Sequence, residues 1–204
     1  MAAGNGGNGG AEHNGRVEPA GIAFDIDGVI ADTMRLFLDI ARDEFAVTGI
    51  RYEDITRYNL EECLDLPSDV IDGVIVRLLE GGYRAALYPI PGAPAVLERL
   101  ARRCGSVLCV TARPTIGPIA DFIHGILPSE GERIDIVATG SFEAKTEVLL
   151  DRGVTHFVED RLETCFTLTT AGITPILFAQ PWNREPHPFI EVNSWDQIDG
   201  LIRW

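Results

Sequence analysis

From residue 21 onward, the apolar positions of this chain alternate between two patterns. Short apolar runs that end in polar residues predict buried strands. Such runs occupy residues 21–27, 106–112, 155–160 and 174–179, with a weaker one at 133–138. Between them, apolar residues spaced three and four positions apart predict helices. These stretches cover residues 32–49, 92–103, 115–126, 141–152 and 161–171. Alternating strands and helices predict an α/β fold, with a parallel sheet covered by helices on both faces.

Residues 50–90 do not follow this alternation. Their pattern is helical throughout, with breaks at Pro67, at Gly81–Gly82 and at Pro89–Pro91. The segment is either a pair of extra helices within the domain or a helical cap over the strand ends, and we favour the cap. The predicted organisation therefore has three parts. These are a disordered Gly/Asn-rich tail at 1–18, a core formed by 19–49 and 91–204, and a cap insertion at 50–90.

The first residues contain a misleading motif. The stretch GNGGNG at residues 4–9 matches the dinucleotide-binding pattern GxGxxG. No strand can precede it, however, and Gly/Asn-rich chain is typical of a flexible tail. The first twenty residues also have no apolar core, which argues against a secretory signal.

Composition narrows the range of partners and the compartment. The net charge of the 204-residue chain is −14, which argues against a nucleic-acid polymer or an anionic membrane as the main partner. No apolar run approaches the ~18 residues of a membrane span. The four cysteines form no CxxC pair. Packed, reduced thiols and a cytoplasmic location are the resulting expectation.

Polar residues that could act in catalysis or ligand binding lie at or beside the predicted strand ends, where parallel α/β folds bind ligands. They are Asp25, Asp27, Thr111, Arg113, Lys145, Glu159 and Asp160. Each has an ordinary explanation, such as a turn at Asp27–Gly28 or a helix cap at Thr111. No such explanation accounts for all of these residues meeting at the strand ends. Lys145 is also the only lysine among 17 Lys and Arg residues, so a compact ammonium is expected to be needed there.

This set of residues indicates phosphoryl transfer. Clustered carboxylates need a divalent cation among them, and ligation by oxygen alone suits Mg²⁺. One carboxylate can act as nucleophile and form an aspartyl-phosphate. A second acid two residues later can protonate the leaving alcohol and then activate water. A hydroxyl and an ammonium can hold the phosphoryl oxygens.

Four segments carry a family resemblance in the right order. They are D-x-D-G-V-x-A-D-T from Asp25, VTARP at 110–114, Lys145 and VEDR at 158–161. Together they resemble the four motifs of the haloacid dehalogenase superfamily, which implies a Rossmann-like core with a cap after the first motif. By that resemblance Asp25 is the nucleophile and a Mg²⁺ ligand. Asp27 is the general acid/base, and its backbone carbonyl also binds the metal.

The same resemblance assigns the remaining site residues. Substrate phosphate is expected to be bound by Thr111, Ala112, Arg113 and Lys145. Asp160 is expected to be a metal ligand, and Glu159 to orient a metal-bound water.

The segment PILFAQPWNR at 175–184 resembles the carboxyl end of the deoxyribonucleotidase-type 5′-nucleotidases. Those enzymes usually carry two aspartates in the fourth motif, whereas this chain has Glu159–Asp160. The expected function is Mg²⁺-dependent phosphomonoester hydrolysis, on (deoxy)nucleoside 5′-monophosphates. The aromatic residues Phe45, Tyr52, Tyr58 and Tyr83 are candidates for base stacking, although packing is favoured for each.

Several alternatives stay open. A sugar phosphate or another small phosphorylated metabolite could be the substrate, and a non-catalytic binding module with the same fold is the alternative from a different class. A phosphomutase is disfavoured because residues 50–90 contain no histidine, and a dehalogenase is disfavoured by Asp27. The sequence leaves a homodimer open.

Overall fold

The computed structural model describes residues 16–204, and its centre is one six-stranded sheet in which every strand is parallel to its neighbours. The strands are β1 (Ile22–Phe24), β2 (Val107–Thr111), β3 (Ile134–Ala138), β4 (His156–Glu159), β5 (Thr174–Phe178) and β6 (Ile190–Val192). Their order across the sheet is β3-β2-β1-β4-β5-β6. The predicted Rossmann-like α/β fold is confirmed, including the weaker candidate that became β3.

Seven α-helices accompany the sheet in the described part of the chain. They are α1 (Thr33–Phe45), α2 (Ser68–Glu80), α3 (Ala93–Cys104), α4 (Gly117–Ile126), α5 (Ala144–Asp151), α6 (Leu162–Thr170) and α7 (Trp195–Leu201). Short 3₁₀ turns occupy Pro19–Gly21, Tyr52–Asp54, Leu60–Glu62, Gly131–Arg133 and Pro181–Asn183.

Strand β1 shows how the sheet is buried on both faces. Ile22 and Phe24 join the apolar cluster that includes α3, α4 and α7, whereas Ala23 lies in the opposite cluster with residues of α5 and α6. This is the period-two alternation of a strand covered on both sides.

The position of β1 also determines where the site lies. Phe24 pairs with Cys109 of β2 on one side and with Val158 of β4 on the other. The strand order reverses at this point, and ligands of open α/β sheets bind in the crevice that such a reversal creates. Residues that follow β1, β2 and β4 therefore converge there.

Helix α1 packs against α2 of the predicted cap, across the predicted boundary at residue 50. Its apolar stripe, including Phe37 and Ile40, packs against Ile71 and Val74 of α2 in a cluster separate from the sheet core. The helix ends at Phe45, before Gly49, because Ala46 takes a left-handed conformation with φ of 56°. Residues 50–90 are also less helical than predicted, with α2 as their one α-helix beside two 3₁₀ turns.

The last strand and helix were not predicted. Strand β6 has three residues, and Val192 alone among them is buried, so no apolar run marks it. Helix α7 is seven residues long. It is capped by Ser194, whose Oγ accepts a hydrogen bond from the Gln197 backbone N–H, and it places Trp195 in the core.

The amino-terminal boundary also needs correction. Residues 1–15, including the GNGGNG stretch, lie outside the described residues, so the predicted disordered tail is untested there. Val17, predicted to belong to that tail, is 2% exposed and packs in the core. Its backbone N–H donates to Leu201 O at 2.7 Å, and its carbonyl accepts from Arg203 N at 2.9 Å. The folded domain therefore begins no later than Val17.

Candidate active site

Lys145 joins two carboxylates beneath the carboxyl ends of the strands. Its Nζ lies 2.7 Å from Asp25 Oδ2 and 2.9 Å from Glu159 Oε2, and the lysine is 0% exposed. Asp25 follows β1 directly, Glu159 ends β4, and Lys145 lies in the first turn of α5. The single lysine of the chain is therefore a buried ammonium inside the predicted site.

One ammonium does not neutralise the carboxylates around it. Burial and the nearby Glu159 carboxylate raise the pKa of Asp25 well above its ordinary value. Burial would also raise the pKa of Glu159, but the Lys145 charge and hydrogen bonds outweigh it and lower that pKa. For Lys145, burial opposes the charged form, while Asp25 and Glu159 raise its pKa above the ordinary value.

Asp160 adds a third buried carboxylate, with one oxygen left unpaired. Its Oδ2 accepts a hydrogen bond from Trp182 Nε1 at 3.0 Å. Its Oδ1 is buried and has no hydrogen-bond partner among residues 16–204. Burial, followed by the charges of Glu159 and Asp25, raises the pKa of Asp160 well above its ordinary value.

The three carboxylates have the arrangement of a cation site. Asp25, Glu159 and Asp160 each offer an oxygen, and these atoms lie within 4.8 Å of one another. A divalent cation would relieve their repulsion and give the unpaired Asp160 oxygen a partner. Oxygen-only ligation suits hard cations such as Mg²⁺. The donor set therefore fits a divalent metal ion.

Asp27 occupies a separate polar pocket beside this cluster. It accepts hydrogen bonds from Thr33 Oγ1 at 2.7 Å, from Thr111 Oγ1 at 3.1 Å, and from Arg113 Nη2 and Nε at 2.7 and 3.0 Å. Burial would raise the pKa of Asp27, but the Arg113 guanidinium and the hydroxyl donors hold it below the ordinary value.

Arg113, predicted to bind substrate phosphate, is paired with Asp27 in this structure, and its side chain is 5% exposed. The Thr111 hydroxyl also serves the Asp27 pocket, since it donates to Asp27 and accepts from the Arg113 backbone N–H at 3.2 Å. Glu159, predicted to orient a metal-bound water, contacts protein groups with both carboxylate oxygens. Its Oε2 holds Lys145, and its Oε1 accepts from the backbone of Asp160 and Arg161.

Gly28 is required by both its conformation and its neighbours. Its φ of +72° lies in the left-handed region, and a Cβ there would lie 2.0 Å from Asp160 Oδ2 and 3.2 Å from Trp182 Cζ2. The turn after β1 can therefore approach the carboxylate cluster only with glycine at this position.

A cavity of about 690 Å³ connects the site to the cap. Asp27, Gly28, Ala112, Arg113 and Asp160 line its core side. Its cap side is mainly apolar and is lined by Met34, Phe37, Tyr58, Leu60, Ile71, Ile75, Leu78 and Leu79. Of the four aromatic residues considered for stacking, Tyr58 lines the cavity and meets Phe142 edge-on at 5.5 Å between ring centroids. Tyr52, Tyr83 and Phe45 pack within the cap cluster.

The structure adds residues that the sequence analysis did not single out. Thr33 donates a hydrogen bond to the Asp27 carboxylate. Trp182 donates one to the Asp160 carboxylate, and Asn183 donates one to the Asp160 backbone carbonyl. Thr33 stands at the end of the first motif, and Trp182–Asn183 lie in the PWN stretch, so both belonged to segments already noted for their resemblance. No sequence pattern, however, shows which carboxylate such donors reach.

Every helix of residues 16–204 is too short or too polar to cross a membrane.

Known structures share the fold of this chain. A haloacid dehalogenase-like hydrolase from Streptococcus pneumoniae is 14% identical, with a TM-score of 0.61 over 91% of this chain and 98% of the other. CbbY from Rhodobacter sphaeroides, solved in complex with phosphate, is 19% identical, with a TM-score of 0.57 over 88% and 97%. A predicted phosphoglycolate phosphatase from Haemophilus somnus is 14% identical, with a TM-score of 0.58 over 88% and 96%.

Sequence comparison gives the family. No curated protein matches significantly. The family model described as 5′ nucleotidase, deoxy (pyrimidine), cytosolic type C protein matches residues 19–204, which is nearly the whole chain and all four motifs. Together with the haloacid dehalogenase fold of its structural neighbours, this match shows that the chain is a phosphatase of that superfamily and belongs to the cytosolic type C 5′-nucleotidase family.

Proposed function

We propose that this phosphatase is a Mg²⁺-dependent hydrolase of (deoxy)nucleoside 5′-monophosphates that acts through an aspartyl-phosphate on Asp25. One observation carries the proposal. The Asp25 carboxylate is held 2.7 Å from the buried Lys145 ammonium, next to an Asp160 oxygen that has no partner in the described chain. This arrangement supports Asp25 as the nucleophile, the Lys145 ammonium as the phosphate-binding group and Asp160 as a metal ligand, all in one crevice.

Asp25 and Asp160 would hold the Mg²⁺ ion, together with the backbone carbonyl of Asp27. When bound, the ion supplies positive charge that neutralises the phosphoryl oxygens during transfer. Lys145 would bind a phosphoryl oxygen while keeping its contact with Asp25. Thr111 and Ala112 would bind the remaining oxygens from the end of β2. Glu159 keeps Lys145 in position through its 2.9 Å contact with Nζ.

The reaction would proceed in two displacements. An Asp25 carboxylate oxygen attacks phosphorus, an acyl-phosphate bond forms, and the ester oxygen leaves with a proton from Asp27. Asp27 then removes a proton from water, whose oxygen attacks phosphorus, and Asp25 and inorganic phosphate are released. Arg113 keeps Asp27 ionised in this structure. Asp27 must therefore gain its first proton when substrate binds, because the phosphate dianion raises the pKa of a neighbouring acid.

The cavity supports a nucleoside as the leaving group. Its volume of about 690 Å³ lies in the range of small-molecule sites. Its cap wall is mainly apolar, and Tyr58 and Phe142 offer aromatic surface to a base. A sugar phosphate would leave most of this apolar surface without a partner. The four cysteines are unpaired, which supports a cytoplasmic location.

The test is a hydrolysis panel with Mg²⁺ present. Nucleoside 5′-monophosphates should give higher kcat/KM values than sugar phosphates of similar charge, and Asp25→Asn should abolish turnover of both. Acid quenching during turnover of a ³²P-labelled substrate should leave label on the wild-type protein and none on Asp25→Asn. Faster hydrolysis of sugar phosphates would reject the nucleotide assignment. Turnover without a labelled protein would reject the aspartyl-phosphate.

A further inference from the structure

The Trp182 side chain donates a hydrogen bond to the Asp160 carboxylate, whose other oxygen has no partner in the described chain. It lies in the Pro181–Asn183 turn that follows β5, is 6% exposed, and donates its indole N–H to Asp160 Oδ2 at 3.0 Å. A buried indole N–H usually finds a hydrogen-bond partner. The partner here is a carboxylate proposed to bind metal.

The neighbouring residue restrains the backbone of Asp160. Asn183 Nδ2 donates to Asp160 O at 2.7 Å and to Phe178 O at 2.8 Å. The Gln180 backbone N–H in turn donates to Asn183 Oδ1 at 2.9 Å, which closes the turn. The turn therefore fixes Asp160 at two points, with Asn183 on its carbonyl and Trp182 on its carboxylate.

We propose that Trp182 is a positioning residue for the metal ligand Asp160. By occupying Oδ2, it sets the rotation of the carboxylate and leaves the buried Oδ1, which has no partner in the described chain, as the oxygen available to the ion. Groups that hydrogen-bond to metal ligands orient them, and their loss typically lowers metal affinity about 10- to 100-fold. This inference rests on the proposed function, because it assumes that Asp160 binds the ion.

The cap keeps Trp182 in place. Its ring packs in the same apolar cluster as α1 and α2, and it meets the Tyr52 ring edge-on at 5.8 Å between centroids. It also lines the substrate cavity. A single side chain therefore contacts the cap cluster, the cavity and the carboxylate, so a change in the cap near Trp182 would reach the metal site through it.

The experiment measures metal binding without substrate. Mg²⁺ affinity is measured by calorimetry, and Mn²⁺ affinity by electron paramagnetic resonance, on wild type, Trp182→Phe and Trp182→His. The phenylalanine variant keeps an aromatic ring but has no N–H, so its dissociation constants should rise about 10- to 100-fold. The histidine variant keeps a ring N–H and should recover part of that loss.

Tyr52→Phe is the matched control. It removes the hydroxyl that donates to Gln180 Oε1 at 2.9 Å and leaves the Trp182–Asp160 contact in place, so its metal affinity should stay at the wild-type value. Thermal melting in excess EDTA establishes whether each variant is folded. A folded Trp182→Phe protein with dissociation constants within about twofold of wild type would overturn the proposal. If Trp182→Phe does not fold, Trp182→Leu replaces it as the variant without an N–H donor, and a folded Trp182→Leu protein with dissociation constants within about twofold of wild type overturns the proposal. Absence of Mg²⁺ and Mn²⁺ binding by wild type would instead reject the metal-dependent function.

Discussion

Arg113 holds Asp27 through both Nη2, which lies 2.7 Å from Asp27 Oδ1, and Nε, which lies 3.0 Å from Asp27 Oδ2. The residue expected to bind phosphate therefore stabilises the ionised form of Asp27. The two residues come from the ends of β1 and β2, and the pairing depends on the neighbouring positions of those strands in the sheet.

We expect Arg113→Gln to lower the free energy of unfolding by about 1.5 to 3 kcal/mol, because it removes the hydrogen bonds of a charged pair that is largely buried. The effect of Asp27→Asn should depend on Arg113. The double variant should therefore lose at least about 0.5 kcal/mol less unfolding free energy than the sum of the losses of the two single variants. Urea unfolding without metal measures all three. Arg203→Gln, which breaks an exposed pair with Glu18, is the control and should lower the free energy of unfolding far less than Arg113→Gln does. Additive effects would show that Arg113 and Asp27 do not depend on each other.

Lys145→Arg keeps the charge and changes its shape. The planar guanidinium cannot occupy the point between Asp25 and Glu159 that the ammonium fills, so turnover should fall at least ~100-fold. Because Lys145 is fully buried, the larger group should also cost about 1 to 3 kcal/mol of stability. Single-turnover kinetics and thermal melting measure the two effects. The reverse swap at the exposed Arg152 should change neither, and near-wild-type turnover of Lys145→Arg would remove the lysine from catalysis.

Metal dependence should separate the two adjacent acids. Excess EDTA should abolish hydrolysis, and added Mg²⁺ should restore it. Asp160→Asn should weaken Mg²⁺ binding more than Glu159→Gln, because Asp160 Oδ1 is unpaired in the described chain while both Glu159 oxygens already accept hydrogen bonds. Calorimetric titration of the two variants gives the order. If Glu159→Gln lost more affinity, Glu159 would be the main ligand of the pair.

Gly28→Ala should disable the site by a direct clash. The new Cβ would lie 2.0 Å from Asp160 Oδ2, in addition to the cost of φ +72°. Gly105→Ala is the matched control, since Gly105 has φ of +80° and a Cβ at that position would meet no atom of the described residues within 4 Å. Gly105→Ala should lower the free energy of unfolding by about 1 to 2 kcal/mol, from backbone strain alone. Gly28→Ala should lower the free energy of unfolding further and should also weaken metal binding. Equal stability losses with unchanged metal binding would contradict the clash.

Two truncations should locate the start of the folded domain. Deleting residues 1–15 should leave the melting temperature unchanged, because Gly/Asn-rich chain contributes little apolar surface. Deleting residues 1–18 should lower it by several degrees, because it removes the buried Val17 and its backbone hydrogen bonds to Leu201 and Arg203. Differential scanning calorimetry makes the comparison. An unchanged melting temperature for the longer deletion would return the boundary to residue 18.

The sequence by itself determined the α/β core and the edge of the sheet at which the candidate site residues meet. Buried strands such as β2 and β4 appear as apolar runs, because a strand covered on both faces needs apolar side chains at nearly every position. Parallel strands also bring their carboxyl ends to one edge, so the order of the motifs was enough to expect Asp25, Thr111 and Asp160 in one crevice.

Only the tertiary structure decided which partners these residues take. The Lys145–Asp25 contact joins positions 120 residues apart, and the Trp182–Asp160 contact depends on a turn after a different strand. Apolar periodicity shows that one face of α1 is buried, but it does not show whether the sheet or α2 covers that face. Burial depends on local side-chain pattern, whereas pairing depends on how separate elements pack. The commitment of Arg113 to Asp27, and of α1 to the cap, was therefore set by packing between distant segments.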